Sequence, residues 1–150
     1  LAAVYYSPLQ YMYWYDKPSD SQDEPELKFF DDVYTTWDDT KVLQGEVGEF
    51  ITIARRKEEE WFIGSITNNE KRVLSVSLDF LPEGKNYIAE IYTDGDKSVK
   101  TRTKVRVSTY RVSNKTKLNF CLKASGGAAV RLVPDDGNIK SVKNYKQQRL

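Results

Sequence analysis

The sequence predicts an all-β protein: an antiparallel β-sandwich of Greek-key type, preceded by one or two short helices. From about residue 41 onward, apolar and polar residues alternate with period two in short runs, as in strands that bury one face. These runs recur roughly every ten residues and are separated by turn residues, which is typical of sandwiches and barrels. Such alternation favours antiparallel sheets with one solvent-facing side.

Length and composition limit the functions that the chain can have. Its 150 residues are enough for one independent core, with room for a short appendage. The net charge of +1 gives no global field to attract nucleic acid or an anionic membrane. There is no histidine, so the commonest acid–base residue and zinc ligand is missing, and the single Cys121 is predicted to be a packed or surface side chain. The sequence has no run of 18 apolar residues, so no membrane-spanning helix is predicted.

The first 36 residues are predicted to be helical and linking. Ser7 and Pro8 can cap and start a helix of one to three turns, and a second short helix is predicted over 26–35. Residues 1–15 contain an excess of aromatic side chains, which we expect to pack on the β-core or to belong to an interface. Because the chain starts at Leu1, without Met or a basic signal segment, we interpret it as a fragment of a longer protein.

The stretch 61–81 is predicted to form a β-hairpin. Residues 61–67 are aromatic and β-branched, which suits a half-buried strand. Asn68 and Asn69 begin a four-residue turn, because asparagine tolerates left-handed backbone angles. Leu74, Val76 and Leu78 then alternate with smaller or polar residues, as in a second strand that would pair with the first.

Six further strands complete the predicted β-domain. They are expected near 41–44 and over 49–56, 85–93, 104–112, 117–123 and 127–133. A charged tip at 57–60 joins the second of these strands to the aromatic strand at 61–67. The basic tail over 138–150 has few apolar residues to bury and is expected to lie on the surface.

The stretch 61–81 also resembles part of the C-terminal domain of glycoside hydrolase family 97. That family has a Trp-Phe/Tyr-x-Gly-x-Ile/Leu-Thr-Asn strand followed by Leu-x-Val-x-Leu-Asp/Ser-Phe-Leu, which match 61–68 and 74–81 here. Further matches lie in order at 37–50, 91–95 and 125–132. Residues 5–10 look like the last helix of the family's catalytic barrel, so the resemblance covers most of 5–134.

The resemblance implies a domain organisation. Residues 1–36 would be the end of a catalytic (β/α)8 barrel with a helical linker, 37–134 the C-terminal β-sandwich, and 135–150 a basic surface tail. The parent would be a bacterial α-glucosidase or α-galactosidase, periplasmic or at the cell surface, although the sequence contains no signal segment.

The same resemblance implies what the domain does and what it lacks. It would be non-catalytic, would brace the barrel of the parent chain, and is a candidate for homo-oligomerisation. The catalytic carboxylates and the calcium ligands of the family would lie upstream of Leu1. This chain would therefore hold no catalytic residue and no cofactor.

An alternative function is a stand-alone carbohydrate-binding or adhesion module. Trp37, Trp61 and Tyr92 are the aromatic residues that could stack on sugar rings, although large aromatics at sheet ends are more often core or interface residues. The basic strand with Lys100, Arg102, Lys104 and Arg106 fits a solvated face, or ion pairing to the acidic linker over 16–39, better than a nucleic-acid groove, and nucleic acid is not an expected partner.

Glycoside hydrolysis within this chain would need two carboxyl groups facing each other across a cleft. The candidates are Asp38 with Asp39, Glu46 with Glu49, Glu58 to Glu60, and Asp94 with Asp96. All of them suit turns or hairpin tips. Turn chemistry is likewise preferred to calcium binding at 94–96 and 135–137, and to phosphate binding at Gly126 and Gly127. Asn114, Lys115 and Thr116 form a glycosylation sequon, which is a common chance match.

Overall fold

The structure, a computed structural model, describes residues 1–7, 9, 18–20, 24–139 and 141–146. A short 3₁₀ turn spans Pro18–Asp20, and helix α1 spans Leu27–Asp32. Eight strands follow: β1 Asp39–Glu46, β2 Phe50–Lys57, β3 Glu60–Thr67, β4 Arg72–Ser77, β5 Asn86–Asp94, β6 Val105–Ser113, β7 Lys117–Leu122 and β8 Gly127–Pro134.

The strands form two antiparallel sheets of unequal size. The larger sheet has six strands in the order β1-β2-β3-β8-β5-β6, and the smaller sheet pairs β4 with β7. Strand β8 returns to lie beside β5, so β5 to β8 follow the 4-1-2-3 order of a Greek key with β7 in the second sheet. The predicted all-β sandwich of Greek-key type is confirmed.

The main core lies between the two sheets. The alternating positions of β4 and β7 point their apolar side chains at the larger sheet, as the sequence pattern predicts. The buried side chains are Ala54, Trp61, Ile63, Leu74, Val76, Leu78, Leu81, Tyr87, Ala89, Ile91, Val112, Leu118, Phe120, Leu122, Ala128, Val130 and Leu132. One side of the six-stranded sheet is therefore covered by the two-stranded sheet.

The other side of the six-stranded sheet, which we call the outer face, is also covered. Helix α1 and the first residues of the chain pack on it around a second cluster that contains Ala3, Phe29, Phe62 and Tyr92. In β3, consecutive residues are buried on opposite sides, so Trp61 belongs to the main core and Phe62 to the second cluster. The expectation of one solvated face is wrong for these central strands.

The predicted hairpin over 61–81 is wrong in its pairing, although both strands exist. Strand β3 pairs with β2 on one side and with β8 on the other, whereas β4 pairs with β7 in the second sheet. Asn68 and Asn69 therefore lie in a connection between sheets. Thr67 and Asn68 bond instead to the backbone of Gly126 and Glu49.

The helical predictions have mixed outcomes. The predicted helix that starts at Ser7 and Pro8 lies mostly outside the described residues. The second helix exists but is shorter than predicted, spanning Leu27–Asp32, and its first residue follows Glu26 without a side-chain cap. Among the described residues, no helix is long and apolar enough to cross a membrane.

The described part of the C-terminal tail, 141–146, runs along the edge of the larger sheet. Arg111 of β6 exchanges backbone hydrogen bonds with this segment, donating to Lys143 and accepting from Tyr145. The Tyr145 ring packs edge-on to Tyr110, and its hydroxyl accepts a hydrogen bond from the Asn119 backbone. The described residues 141–146 therefore shield this part of the β6 edge from pairing with another strand.

A pair of adjacent residues in β7 tests the position of the main core. The Phe120 side chain is 1% exposed, whereas Cys121, the next residue, is exposed. We expect Phe120→Ala to lower the free energy of unfolding by about 3–5 kcal/mol, because the cavity cannot fully collapse. Cys121→Ala should change it by less than about 0.5 kcal/mol. Equal effects in urea unfolding would contradict this packing.

Candidate functional site

The outer face carries polar and aromatic side chains that are not part of the main core. Five strand residues point to this side: Arg55 from β2, Phe62 and Gly64 from β3, Tyr92 from β5 and Arg131 from β8. They lie on neighbouring strands because the register pairs Arg55 with Phe62 and Phe62 with Arg131. The outer face is thus the place where the sheet meets the N-terminal part of the chain.

An aromatic cluster fixes helix α1 and the linker to this face. Phe29 of α1 packs edge-on to Phe62 and Tyr92, with ring centroids 6.0 and 5.4 Å away. Tyr34 and Trp37, which follow the helix, pack edge-on to Phe62 at 5.8 and 5.3 Å. Edge-on pairs of this kind add about 0.5–1.5 kcal/mol each beyond area burial. Phe62 is the centre of the cluster.

A charged cluster borders the aromatic one. Arg131 forms a two-pronged ion pair with Glu60, at 2.9 and 3.1 Å, and lies 2.7 Å from the Asp32 carboxylate of α1. Lys28 of α1 bridges Asp32 and Glu90 at 2.8 and 2.9 Å. Burial lowers the pKa of Arg131, but its bond to Glu60 and the surrounding carboxylates outweigh this and raise it. The cluster joins the helix to three strands.

Arg55 is the most deeply buried cation of the outer face, with 2% of its surface exposed. Its Nε donates to the Ala3 carbonyl at 2.7 Å, and its Nη2 donates to the Val4 carbonyl at 3.0 Å. Nη1 donates to the Thr40 hydroxyl at 3.0 Å, and the Tyr6 ring lies 5.3 Å from the guanidinium carbon. Burial lowers the pKa of Arg55 and Tyr6 opposes this, but arginine stays protonated.

Gly64 makes room for the same segment. A Cβ at this position would lie 2.8 Å from Val4 Cγ2 and 3.1 Å from Ala3 Cβ, closer than packed carbon atoms lie. Ala3 and Val4 are both buried against the sheet at this point. Arg55 and Gly64, from adjacent strands, therefore form a cradle for residues 1–6, which we call the N-terminal segment.

An apolar rim lies beside the cradle, at the tip of the β1–β2 hairpin. It consists of Tyr5, Val42 and Val47, all exposed, around a cavity of about 600 Å³. The cavity floor includes Phe50 and Ile51 of β2. Grouped exposed apolar residues are a feature of interaction surfaces.

The carboxylates around the β2–β3 hairpin have structural roles. The Asp38 carboxylate accepts from Lys57 Nζ at 3.0 Å and from the Glu58 backbone at 2.7 Å, and these bonds lower its pKa. Asp39 accepts from the Thr40 backbone and pairs with Lys41. Glu59 pairs with Lys85, and Glu60 belongs to the charged cluster.

The other candidate carboxylates also have structural partners or lie on the apolar rim. Glu49 pairs with Arg72 at 2.9 Å, while Glu46 lines the rim cavity. Asp94 accepts from the Lys123 backbone. Asp96 binds Ser98 and Arg106, and its pKa is lowered by the Ser98 bonds first. In the described ranges, no three acidic or cysteine side chains come together as a metal site would require.

The turn residues outside these pairs have local partners. Asp135 pairs with Arg111 and accepts from the Gly137 backbone, and both bonds lower its pKa. A Cβ at Gly126 would collide with the Asp94 carboxylate and the Lys123 backbone, so the glycine allows a tight turn. These observations agree with the preference for turn chemistry at 135–137 and 126–127.

The three aromatic residues considered for sugar stacking are used in packing. Trp61 is 4% exposed in the main core, and Tyr92 is 5% exposed in the aromatic cluster. Trp37 is partly buried against Phe62 and Tyr34. The rings of Trp61 and Tyr92 are therefore closed to a sugar, in agreement with the expectation that large aromatics at these positions are core residues, whereas Trp37 is only partly buried.

The basic residues at 100–106 do not form one patch. Arg106 is committed to Asp96 and Ser98, and Lys104 donates to the Val99 carbonyl within its own loop. Arg102 lies 4.0 Å from the buried Glu24 carboxylate near α1. This agrees with a role in ion pairing to the acidic linker.

Sequence reasoning missed Arg55, Gly64 and Arg131 as a group. No role was predicted for Arg55, which follows the buried Ile53 and Ala54 in β2. One signal was present: a strand whose neighbours are apolar on both faces has no solvated side for a cation. A cation there needs a partner from another part of the chain.

A family model described as "Glycosyl-hydrolase 97 C-terminal, oligomerisation" matches residues 36–133. The match begins just before β1 and ends within β8. A retaining alpha-galactosidase from Bacteroides thetaiotaomicron is 32% identical over 133 residues, which are 88% of this chain and 20% of that protein.

Solved structures agree with this match. A glycoside hydrolase family 97 enzyme from Pseudoalteromonas sp. strain K8, in complex with acarbose, superimposes with a TM-score of 0.66 at 34% identity. The match covers 72% of this chain and 18% of that one. A beta-arabinopyranosidase, at 24% identity and a TM-score of 0.60, shares the fold. The chain spans about a fifth of the length of these relatives.

The buried tyrosine of the aromatic cluster makes stability depend on alkaline pH. Burial, and then the charge of Glu90, raise the pKa of the Tyr92 hydroxyl. Above about pH 10 the unfolded chain therefore loses the tyrosine hydroxyl proton, while the folded chain keeps it. Stability is therefore unaffected below pH 10 and falls above it, by up to about 1.4 kcal/mol per pH unit. We expect Tyr92→Phe to reduce this fall in denaturant unfolding.

Unfolding measured below pH 10, where tyrosine keeps its proton in both states, is the internal control. Between pH 7 and 9, the unfolding free energies of the wild-type chain and Tyr92→Phe should run parallel, because neither state loses the proton there. Tyr87, whose pKa burial also raises, should behave in the same way when changed to Phe. Parallel curves above pH 10 as well would show that Tyr92 is not buried as described.

Proposed function

This chain belongs to the family of glycosyl-hydrolase 97 C-terminal domains, and from this we propose that it braces the catalytic barrel of an α-glycosidase and joins copies of that enzyme. As a member of this family it is a non-catalytic C-terminal domain of a glycoside hydrolase. The contact with the barrel, the substrate of the parent enzyme and the association with a second copy are what we propose.

One observation supports the proposal above the others: the family match spans the whole two-sheet domain, while the chain covers about a fifth of its relatives. The carboxylates that could have acted in catalysis mostly support hairpins, turns and ion pairs. Because these acidic residues stabilise the fold, they support a structural role for the domain.

Bracing of the barrel is proposed to act through the outer face. The aromatic and charged clusters hold α1 on the sheet, and the cradle holds the N-terminal segment beside it. The main core between the sheets is built from other side chains. One side of the β-domain can therefore serve attachment while the other maintains the fold.

Association with a second copy is proposed to use the apolar rim. Val47 projects fully from the hairpin tip, and Val42 and Tyr5 are exposed next to it. The family description includes oligomerisation, which favours a second copy of this chain as the occupant. Burying these side chains against a copy would remove apolar area from water.

The parent enzyme's sugar specificity and setting are proposed by family alone. By resemblance to that family, we place the calcium ion and the catalytic carboxylates in the barrel of the parent enzyme. An α-galactoside or α-glucoside is the proposed substrate class of the parent, in the periplasm or at the cell surface. A carbohydrate-binding module is less well supported, because Trp61 and Tyr92 lie inside the domain.

A direct assay tests the non-catalytic role. The purified chain should give no turnover of nitrophenyl α-galactoside or α-glucoside above a buffer blank, because its candidate carboxylates are engaged in hairpins, turns and ion pairs rather than facing a substrate. A commercial α-galactosidase and an α-glucosidase serve as positive controls under the same conditions. Turnover that follows the chain through purification would overturn the proposal.

A pair of valines tests the apolar rim. We expect Val47→Asp to weaken self-association of the chain in sedimentation velocity by about tenfold or more, because a charge would be buried in the contact. Val73→Asp is the matched control, since Val73 is also exposed but lies on the outside of β4 in the second sheet.

Both variants should keep the circular dichroism and unfolding midpoint of the wild-type chain. Equal weakening by the two substitutions, or none by Val47→Asp, would exclude the rim as the contact between copies.

A further inference from the structure

The cradle on the outer face has a feature that the domain does not need for its own core. Arg55 is buried as deeply as the apolar core residues, yet within the described ranges it forms no ion pair with a carboxylate. Leaving a guanidinium in such a place is costly unless its donors are satisfied. Of its three hydrogen bonds to described residues, two go to backbone carbonyls of the N-terminal segment.

The N-terminal segment presents these carbonyls in a defined way. The backbone N–H groups of Val4 and Tyr5 both donate to the Leu1 carbonyl, at 2.8 and 2.9 Å, which closes one turn. The carbonyls of Ala3 and Val4, in the same turn, accept hydrogen bonds from the Arg55 guanidinium. Cations commonly satisfy carbonyls at the end of a helical turn.

We propose that Arg55 and Gly64 form a binding site for the carbonyl end of an incoming backbone turn, and that this site attaches the β-domain to the polypeptide entering it. The site rests on the proposed function, since it names a contact through which the domain would be held to the barrel. It binds residues 1–6, which lie outside the 36–133 stretch that defines the family.

The chemistry of the site selects for arginine and glycine. A guanidinium can donate to two adjacent carbonyls at once and to Thr40 with its third nitrogen, which a lysine ammonium at the end of a flexible stem cannot reproduce. Gly64 provides the floor, because a side chain there would occupy the space of Ala3 and Val4. The occupant must have small residues where the backbone meets the sheet.

Amide hydrogen exchange of the full 150-residue chain tests the proposal. In the wild-type chain, the Val4 and Tyr5 amides should be protected, since both are hydrogen-bonded in the turn. We expect Arg55→Met to speed their exchange by about tenfold or more, because a buried charged hydrogen-bond donor is lost. Amides of β3 and β8 should keep their protection.

Arg56→Met is the matched control, one residue along the same strand. Arg56 pairs in register with Trp61, on the opposite side of the sheet, and donates to the Glu58 carbonyl of its own hairpin. This variant should leave the Val4 and Tyr5 amides protected. Arg55→Lys, which keeps the charge but loses the two-carbonyl geometry, should give an intermediate rate.

If Arg55→Met unfolds the chain, Gly64→Ala provides a second test of the proposed binding site. It leaves Arg55 in place and crowds only Ala3 and Val4, so faster exchange at Val4 and Tyr5 with an intact β3 supports the proposal. Unchanged protection of these two amides in either variant with the sheet still folded would overturn it. The glycosidase assay is independent of Arg55, so a failure of the proposed function would be seen there.

Discussion

Strand β3 has no side that faces solvent, and the layers on both sides of the larger sheet depend on it. Trp61 extends into the space between the sheets, and Phe62, the next residue, forms the centre of the aromatic cluster on the outer face. Both neighbouring positions in the sheet are occupied, by β2 and β8. Both the packing between the sheets and the attachment of α1 therefore depend on β3. Few of its positions can change without disturbing one of the two.

Much of the fold follows from local patterns in the sequence. The alternation in β4 and β7 correctly places Leu74, Val76, Leu118 and Phe120 inside. The partner of each strand is not a local property, and the predicted hairpin over 61–81 failed for that reason. Pairing of β3 with β8 is decided by which long-range arrangement buries both faces of β3, and alternation carries no information on this.

The candidate site was harder to predict than the fold. The sequence pattern places Gly64 and Arg55 in predicted strands and assigns neither of them a role. Each acquires its role only when β2 and β3 lie side by side and the N-terminal segment arrives from outside the β-domain. The acidic candidates have both near and distant partners, as Asp96 with the Ser98 backbone and Glu60 with Arg131 show, and a local pattern predicts only the near ones.

The insertion of β8 between β3 and β5 has a consequence for biosynthesis. Strands β1 to β3 can pair as soon as they leave the ribosome, since their connections are short, but the free edge of β3 and that of β5 wait for the last strand. Until Gly127–Pro134 emerges, two central edges of the sheet are open to mispairing. Closing long loops also slows folding. Completion of the domain is therefore tied to completion of β8, and a chain cut short before β8 would leave one edge of the central strand β3 unpaired.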